Sequence, residues 1–362
     1  MLSHSATNNI WCTPIAAELA GRQRDCRSAA EPAMRVPKLR EDIVKGFRKI
    51  LALALAIFAT AGFGVAHADG VVRIGGVANY GPVLPVIAAQ ELKLFEKAGV
   101  KVEFTNFNGG SASMEGLAAG EVDLINFFPP GHALAKRRGV KATIVSAGTL
   151  TPRGWHIVVG KDSKVSAMKD LAGKKIGVTS NGSTTDFFAL WVADQAKGEM
   201  TRVPLGGAGL VPNLLSGNVD AIVAYPPLSY KVVGAGDGKS LVHLGEAMTP
   251  NLPDVWIASD KLIETNPEGL EKALVGLYSA IVYMQKNPEW AIDFIAKKTG
   301  LPKEIATEEY NNTFKGLSPD GNLKGAWVEE SLKLGKLAGL DDLPPASTMF
   351  TDRFVPVKTI TP

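Results

Sequence analysis

Thiols are nearly absent from this chain: the two cysteines, Cys12 and Cys26, both stand in its first 30 residues. Everything downstream is therefore without a disulfide, a thiolate metal site or a cysteine nucleophile. Histidine is scarce too. Beyond residue 68 only His132, His156 and His243 remain, no two at metal-ligand spacing, and each reads as structural or exposed. The signatures of common enzyme classes are also missing: there is no GxxxxGK[ST], no HExxH and no GxSxG, and Gly206-Gly207-Ala208-Gly209 lacks the GxGxxG spacing. No metal and no cofactor is expected.

Long apolar runs are lacking with one exception, Ile50 to Ala66, 17 residues without a charge. Lys45, Arg48 and Lys49 precede it and Ala66-His67-Ala68 closes it, which describes a cleavable export signal with cleavage near Ala68. A membrane span needs about 20 apolar residues, so an uncleaved anchor is the weaker reading. Met34 offers a second start, and residues 1–33 fit either a mis-called beginning or a stretch cut off with the rest. Nine of the 39 basic and five of the 36 acidic residues lie in 1–68, leaving 30 against 31 and a net charge of −1 in place of +3. The basic balance that would suggest nucleic acid thus belongs to the removed segment. A periplasmic location, a small-molecule ligand, no nucleic-acid partner and a monomer are expected.

What is present is an alternation of short β-branched runs with longer periodic ones, the pattern of βα units around parallel sheets. Strands are expected at Val71–Val77, Val100–Phe107, Val122–Phe128 and Ala142–Ala147. A second series follows at Trp155–Val159, Lys174–Thr179, Thr201–Leu205, Ala221–Ala224 and Leu241–Leu244, with a return at Val255–Ala258. Helices are expected at Pro82–Ala98, at Pro267–Gln285 with the stripe Leu270, Leu274, Leu277, Ile281 and Met284, and at Pro288–Lys298 and Trp327–Leu337. The segments become 1–68 signal, 69–153 first lobe, 154–252 second lobe, and 253–362 a return to the first lobe with C-terminal helices.

One internal echo stands out. Gly120 to Pro130 and Gly217 to Pro227 share the form G-x-V-D-φ-φ-x-φ-φ-P-P, where φ is apolar, and Gly-Gly pairs at 109–110 and 206–207 precede them. Proline cannot donate to a sheet ladder, so both strands must end there. Phe127, Phe128, Ala224 and Tyr225 then sit at carboxyl ends of strands, the edge where open α/β sheets bind ligands.

The pieces PVLPVIAAQELKLFEKAGVKVEF, AAGEVDLINF, MKDLAGKKIGVTSNGSTTDFF, SGNVDAIVAYPP and IASDKLIETNPEGLEKALVGLY occur in that order over residues 82–278. In this the chain resembles the periplasmic solute-binding proteins of ABC importers, in the branch for nitrate, sulfonates, taurine and thiamine-pyrimidine precursors. The resemblance implies an α/β, two-lobed (type II, Venus flytrap) fold with a hinge, and permease and ATPase partners as separate chains. The pyrimidine synthase of the same fold depends on a cysteine-rich motif that this sequence lacks, so no enzyme is expected. The resemblance places Asn79, Tyr80, the strand ends and Tyr225 in the cleft. Of two neighbours on a strand one faces away, and Phe128 is taken as the one facing the ligand over Phe127. Gly182, Ser183 and Thr184 enter a helix whose free N–H groups can seat an oxyanion, although Ser183 also reads as a plain cap. Gly110 and Ser111 form the corresponding turn of the first lobe. Arg153, Trp155 and His156 fall near the crossing, with Arg153 read as a solvated hinge residue. The expected ligand is a sulfonate, nitrate or carboxylate. The alternatives are a neutral pyrimidine-like ligand, or an exported sensor or enzyme of the same fold.

Overall fold

The computed structural model describes residues 70–362. The export segment expected over 1–68, cleavage site included, lies outside these residues. In chain order the first run is β1 (Val71–Val77), α1 (Leu84–Glu91), α2 (Leu94–Ala98), β2 (Lys101–Phe107), α3 (Gly110–Ala119), β3 (Leu124–Phe127), α4 (Pro129–Arg137) and β4 (Ala142–Thr149). The second comprises β5 (His156–Gly160), β6 (Lys175–Val178), α5 (Thr184–Ala196), β7 (Thr201–Pro204), α6 (Gly206–Leu215), β8 (Ala221–Ala224), α7 (Leu228–Gly234), β9 (Gly238–His243) and α8 (Leu244–Ala247). The chain then returns through β10 (Asp254–Ser259) into α9 (Asp260–Thr265), α10 (Pro267–Lys286), α11 (Pro288–Thr299), α12 (Lys303–Asn312) and α13 (Gly325–Lys336). No described helix is long and apolar enough to cross a membrane.

Two five-stranded sheets result, ordered β2-β1-β3-β10-β4 and β7-β6-β8-β5-β9. They follow one plan. Three strands run parallel, and the fourth, β10 or β5, is antiparallel to both its neighbours. Each of these fourth strands is the first built after the chain passes from one sheet to the other.

The repeated Asp has a matched task in each lobe. Asp123 Oδ2 accepts from Arg73 N at 3.0 Å and Asp220 Oδ2 from Lys175 N at 2.9 Å. Each carboxylate therefore ties the approach to β3 or β8 onto the start of the neighbouring strand. Gly120 and Gly217, with φ of 75° and 74°, take the left-handed turn that stops the helix before it.

Two expectations needed revision. The helix expected over Pro82–Ala98 is two helices, broken where Lys93 adopts φ 55°. The break turns Leu94 and Phe95 into the core beneath α10, where Gly276 leaves room for the Phe95 ring. Helix α12 was not foreseen, because KEIATEEYNN is mostly polar and its buried side consists of Ala306, Glu309 and Tyr310. The stripe on α10 is buried throughout, from Leu270 to Met284.

Candidate functional site

The two passages between sheets lie side by side. Leu244 N donates to Trp155 O at 2.9 Å, and Gly245 passes so close to Pro152 and Arg153 that a Cβ would stand 3.0 Å from their backbone. From this hinge the lobes meet around a rim. Gly81 N donates to Pro226 O (2.9 Å), Gly207 N to Asn108 O (3.2 Å) and Ser111 Oγ to Asn181 O (2.9 Å). Phe128 is wedged against Phe187 and Phe188 of α5 at 5.6 and 5.7 Å between ring centres. Beside the Gly81–Pro226 contact, Glu309 of α12 is fully buried. Its Oε1 has no partner, and burial pushes the carboxyl up to about 8.

Inside the rim is a cavity of about 30 Å³, room for roughly two waters. One side is aromatic. Tyr80, Trp155 and Tyr225 meet pairwise at 5.7, 5.8 and 6.0 Å between ring centres, and Phe127 and Val77 extend that wall. The second lobe contributes the start of α5 with Thr179, Ser183, Thr184 and Thr185. Three of those hydroxyls are spent on one another: Thr179 Oγ1 lies 3.0 Å from both Ser183 and Thr185, and Ser183 lies 2.7 Å from Thr185. Ser183 also caps the helix, accepting from Asp186 N. Asp186 reaches back to Gly182 N (2.8 Å), one residue short of a reciprocal capping box, and pairs with Arg202. What remains open is the Thr184 hydroxyl and the N–H groups of Thr184 and Thr185, which begin the helix and have no carbonyl within it to bond. These groups and the positive end of the helix favour an acceptor or an anion.

The first lobe supplies the opposite character. Asp254, at the start of β10, is 2 % exposed and lines the cavity beside Asn126. Its Oδ2 accepts from Tyr80 Oη (2.7 Å) and Thr149 Oγ1 (2.8 Å), and its Oδ1 from Asn126 Nδ2 (2.9 Å) and Thr149 N (3.0 Å). Burial pushes the Asp254 carboxyl upward against these four donors, and burial together with Asp254 raises the Tyr80 hydroxyl. Among the described residues no Lys or Arg lines the cavity.

Of the residues named from sequence, Tyr80, Gly110, Ser183, Thr184 and Tyr225 come together here. Phe127 lines the cavity, whereas Phe128 packs in the interface core, because β3 ends one residue earlier than expected and the following Pro-Pro turns the chain. Asn79 faces a separate groove outside Tyr225, and Ser111 and Gly182 flank another along α3 and α4. Sequence reasoning passed over Asn126, Thr179 and Asp254, and left Trp155 at the crossing. Asn126 sits in the repeat where its counterpart is Val223, a polar residue in an apolar strand, and that was a usable signal. Among the described residues no group of His, Cys, Asp and Glu could hold a metal ion.

The model of the NMT1/THI5-like family matches residues 82–291, more than half the chain. A protein of Brucella abortus (strain 2308), named as a binding protein without a stated ligand, is 27% identical over 78% of this chain and 89% of its own length. The alkanesulfonate-binding protein of Xanthomonas axonopodis pv. citri, solved bound to MOPS, superposes with a TM-score of 0.68 at 19% identity, covering 78% of this chain and 98% of that one. The periplasmic aliphatic sulphonate binding protein of Escherichia coli gives 0.65 at 20% identity, with 78% and 98% covered. These relatives are solute-binding proteins, not enzymes. With its paired five-stranded sheets and the matched stretch spanning both, the chain belongs to the NMT1/THI5-like family and has the two-lobed α/β fold of periplasmic binding proteins.

Proposed function

We propose that this chain is the exported solute-binding component of an ABC importer, taking up a small oxyanion such as a sulfonate, nitrate or carboxylate between its lobes and delivering it to separate permease and ATPase chains. The observation that carries the reading is the start of α5, where Thr184 and Thr185, whose N–H groups have no carbonyl within the helix to bond, line a cavity walled by the other lobe. A ligand held there touches both lobes only when they are together, so binding shifts the population toward the closed form. The lobe limits that fit this motion are 153/154 and 252/253, at the two adjacent passages. The named relatives that bind sulfonates support the ligand class.

Thr184→Pro tests the seat. Proline is tolerated at the first helical position, and Ser183, at φ −82° and ψ 168°, already has the extended backbone that a residue before proline prefers. The substitution removes one N–H and the open hydroxyl while leaving the helix. The melting temperature without ligand should stay within about 3 °C, and the stabilisation by ethanesulfonate, nitrate or acetate should vanish. A variant that responds like the wild type would sink the assignment. The aromatic wall and the absence of cleft cations favour a second reading, a neutral pyrimidine-like ligand. In that case none of the three anions stabilises even the wild type, and an aminopyrimidine does.

A further inference from the structure

We propose that Glu309 is a proton-operated latch between the lobes: closure takes up one proton at its carboxyl, and loss of that proton drives the lobes apart. Only the closing motion of the proposed function is needed, not the identity of the ligand, so failure of the oxyanion reading leaves the latch standing.

Helix α12 bridges the two lobes. Tyr310 Oη donates to Gln285 O at 3.1 Å, which ties α12 to α10 of the first lobe. On its other side Ile305 packs onto Gly234 at the end of α7, where a Cβ would stand 2.5 Å from it. Glu309 lies at the seam itself. A Cβ on Gly81 of the first lobe would run into Glu309 Oε1 and stand 3.6 Å from Pro226 O of the second. The same Pro226 O accepts from Gly81 N in one of the contacts that close the rim. Groups from both lobes therefore bury this carboxyl. Helix α12 can follow only one lobe when the two part, so opening strips a wall from Glu309 and lets water reach it.

The groups around Glu309 do not compensate an ionised carboxyl. Its Oε1 has no partner among the described residues, and its Oε2 accepts one hydrogen bond, from Thr313 Oγ1 at 3.3 Å. Glu308, exposed on the same helix, adds negative charge. From the turn after β1, the Tyr80 hydroxyl is spent on Asp254. From α7, Tyr230 is a phenol that burial keeps neutral, and the charge of Arg153 at the passage acts on Tyr230. The closed form thus favours the protonated acid, in accord with a carboxyl pushed up to about 8 by burial. In the open form hydration returns it toward the ordinary carboxylate range. A group raised in the closed form favours closure at low pH, and that help is lost as pH rises toward 8. Every ligand that needs the closed form then binds more weakly at higher pH.

Hydrogen exchange of the unliganded protein tests it, because the N–H groups of Gly81 and Gly207 bond across the seam and are freed when the lobes part. Corrected for the intrinsic pH dependence of exchange, their protection should fall at least about tenfold between pH 6 and 8, since a one-proton step changes by up to about tenfold per pH unit. In Glu309→Gln it should stay within about twofold. A carbon-13 titration of the wild-type Glu309 carboxyl should have its midpoint inside the same fall, which decides the matter even where the variant does not fold. If Glu309 stays buried when the lobes part, protection falls only at amides inside β1 and β8, through overall stability, and the latch is overturned. Equal falls in wild type and variant overturn it, as does a carboxyl midpoint outside the fall. Absence of protection at Gly81 and Gly207 at pH 6 overturns it as well, because the protonated latch must hold the lobes together there.

Discussion

At the scale of single residues, the site separates what a sequence can carry from what only folding brings together. Ser183 and Thr184 were readable because a turn, a hydroxyl run and a helix start follow one another in the chain. Asp254 was not, because its meaning lies in partners 105, 128 and 174 positions away. Phe127 and Phe128 were distinguishable only by where β3 stops, and a shift of one residue on a strand reverses the face. Glu309 was equally hidden, a polar residue in a polar helix, yet it is the buried group with the clearest consequence for pH. Its carboxyl is raised from 4.5 to about 8, so its contribution to stability is full below 4.5 and is lost as pH rises toward 8. His132 and His156, each lowered by burial from 6.5 to about 4, act the other way, removing stability as pH falls below 6.5. Between pH 6.5 and 8, therefore, Glu309 is the one of the three that matters. The wild-type melting temperature should fall more steeply across that interval than that of Glu309→Gln, by calorimetry in buffers of constant ionic strength. Parallel slopes for the two proteins would refute the account.

At the scale of elements, strands and helices were largely legible because their signals are local. Hydrophobic period, Gly stops and Pro exits placed the two echoes, and the structure gives both the same arrangement of helix, left-handed Gly and strand. Helix α12 escaped because tertiary contacts, not an apolar stripe, hold it. The passages between sheets were visible only as places where the pattern changes, and their closeness to each other was not. That closeness makes a prediction. Gly245→Ala would press a methyl group onto the backbone of Pro152 and Arg153, 3.0 Å away. The expected cost is about 1–3 kcal/mol of unfolding free energy in a urea titration, together with a smaller ligand-induced rise in melting temperature. A variant equal to the wild type in both would mean that the passages separate freely.

At the scale of the whole molecule, the sheet orders show that the lobes are not equivalent in how the chain visits them. The sheet holding β5 to β9 is drawn from one uninterrupted stretch, His156 to His243, whereas the first sheet is left incomplete when the chain departs after Thr149. Strand β4 finds its sheet neighbour only in β10, more than 100 residues later. During synthesis the second lobe therefore has all its strands available while the first still waits for one, and β3 and β4 remain unpaired along facing edges. Contacts so distant in sequence form slowly, and open strand edges invite wrong partners. Pulse-labelled hydrogen exchange during refolding should find amides of β6 and β8 protected before those of β4; the reverse order would contradict it. The strand that carries Asp254 into the cavity is thus also the one that closes the first sheet, so a nascent chain acquires that wall of the cavity and its last sheet pairing in the same event.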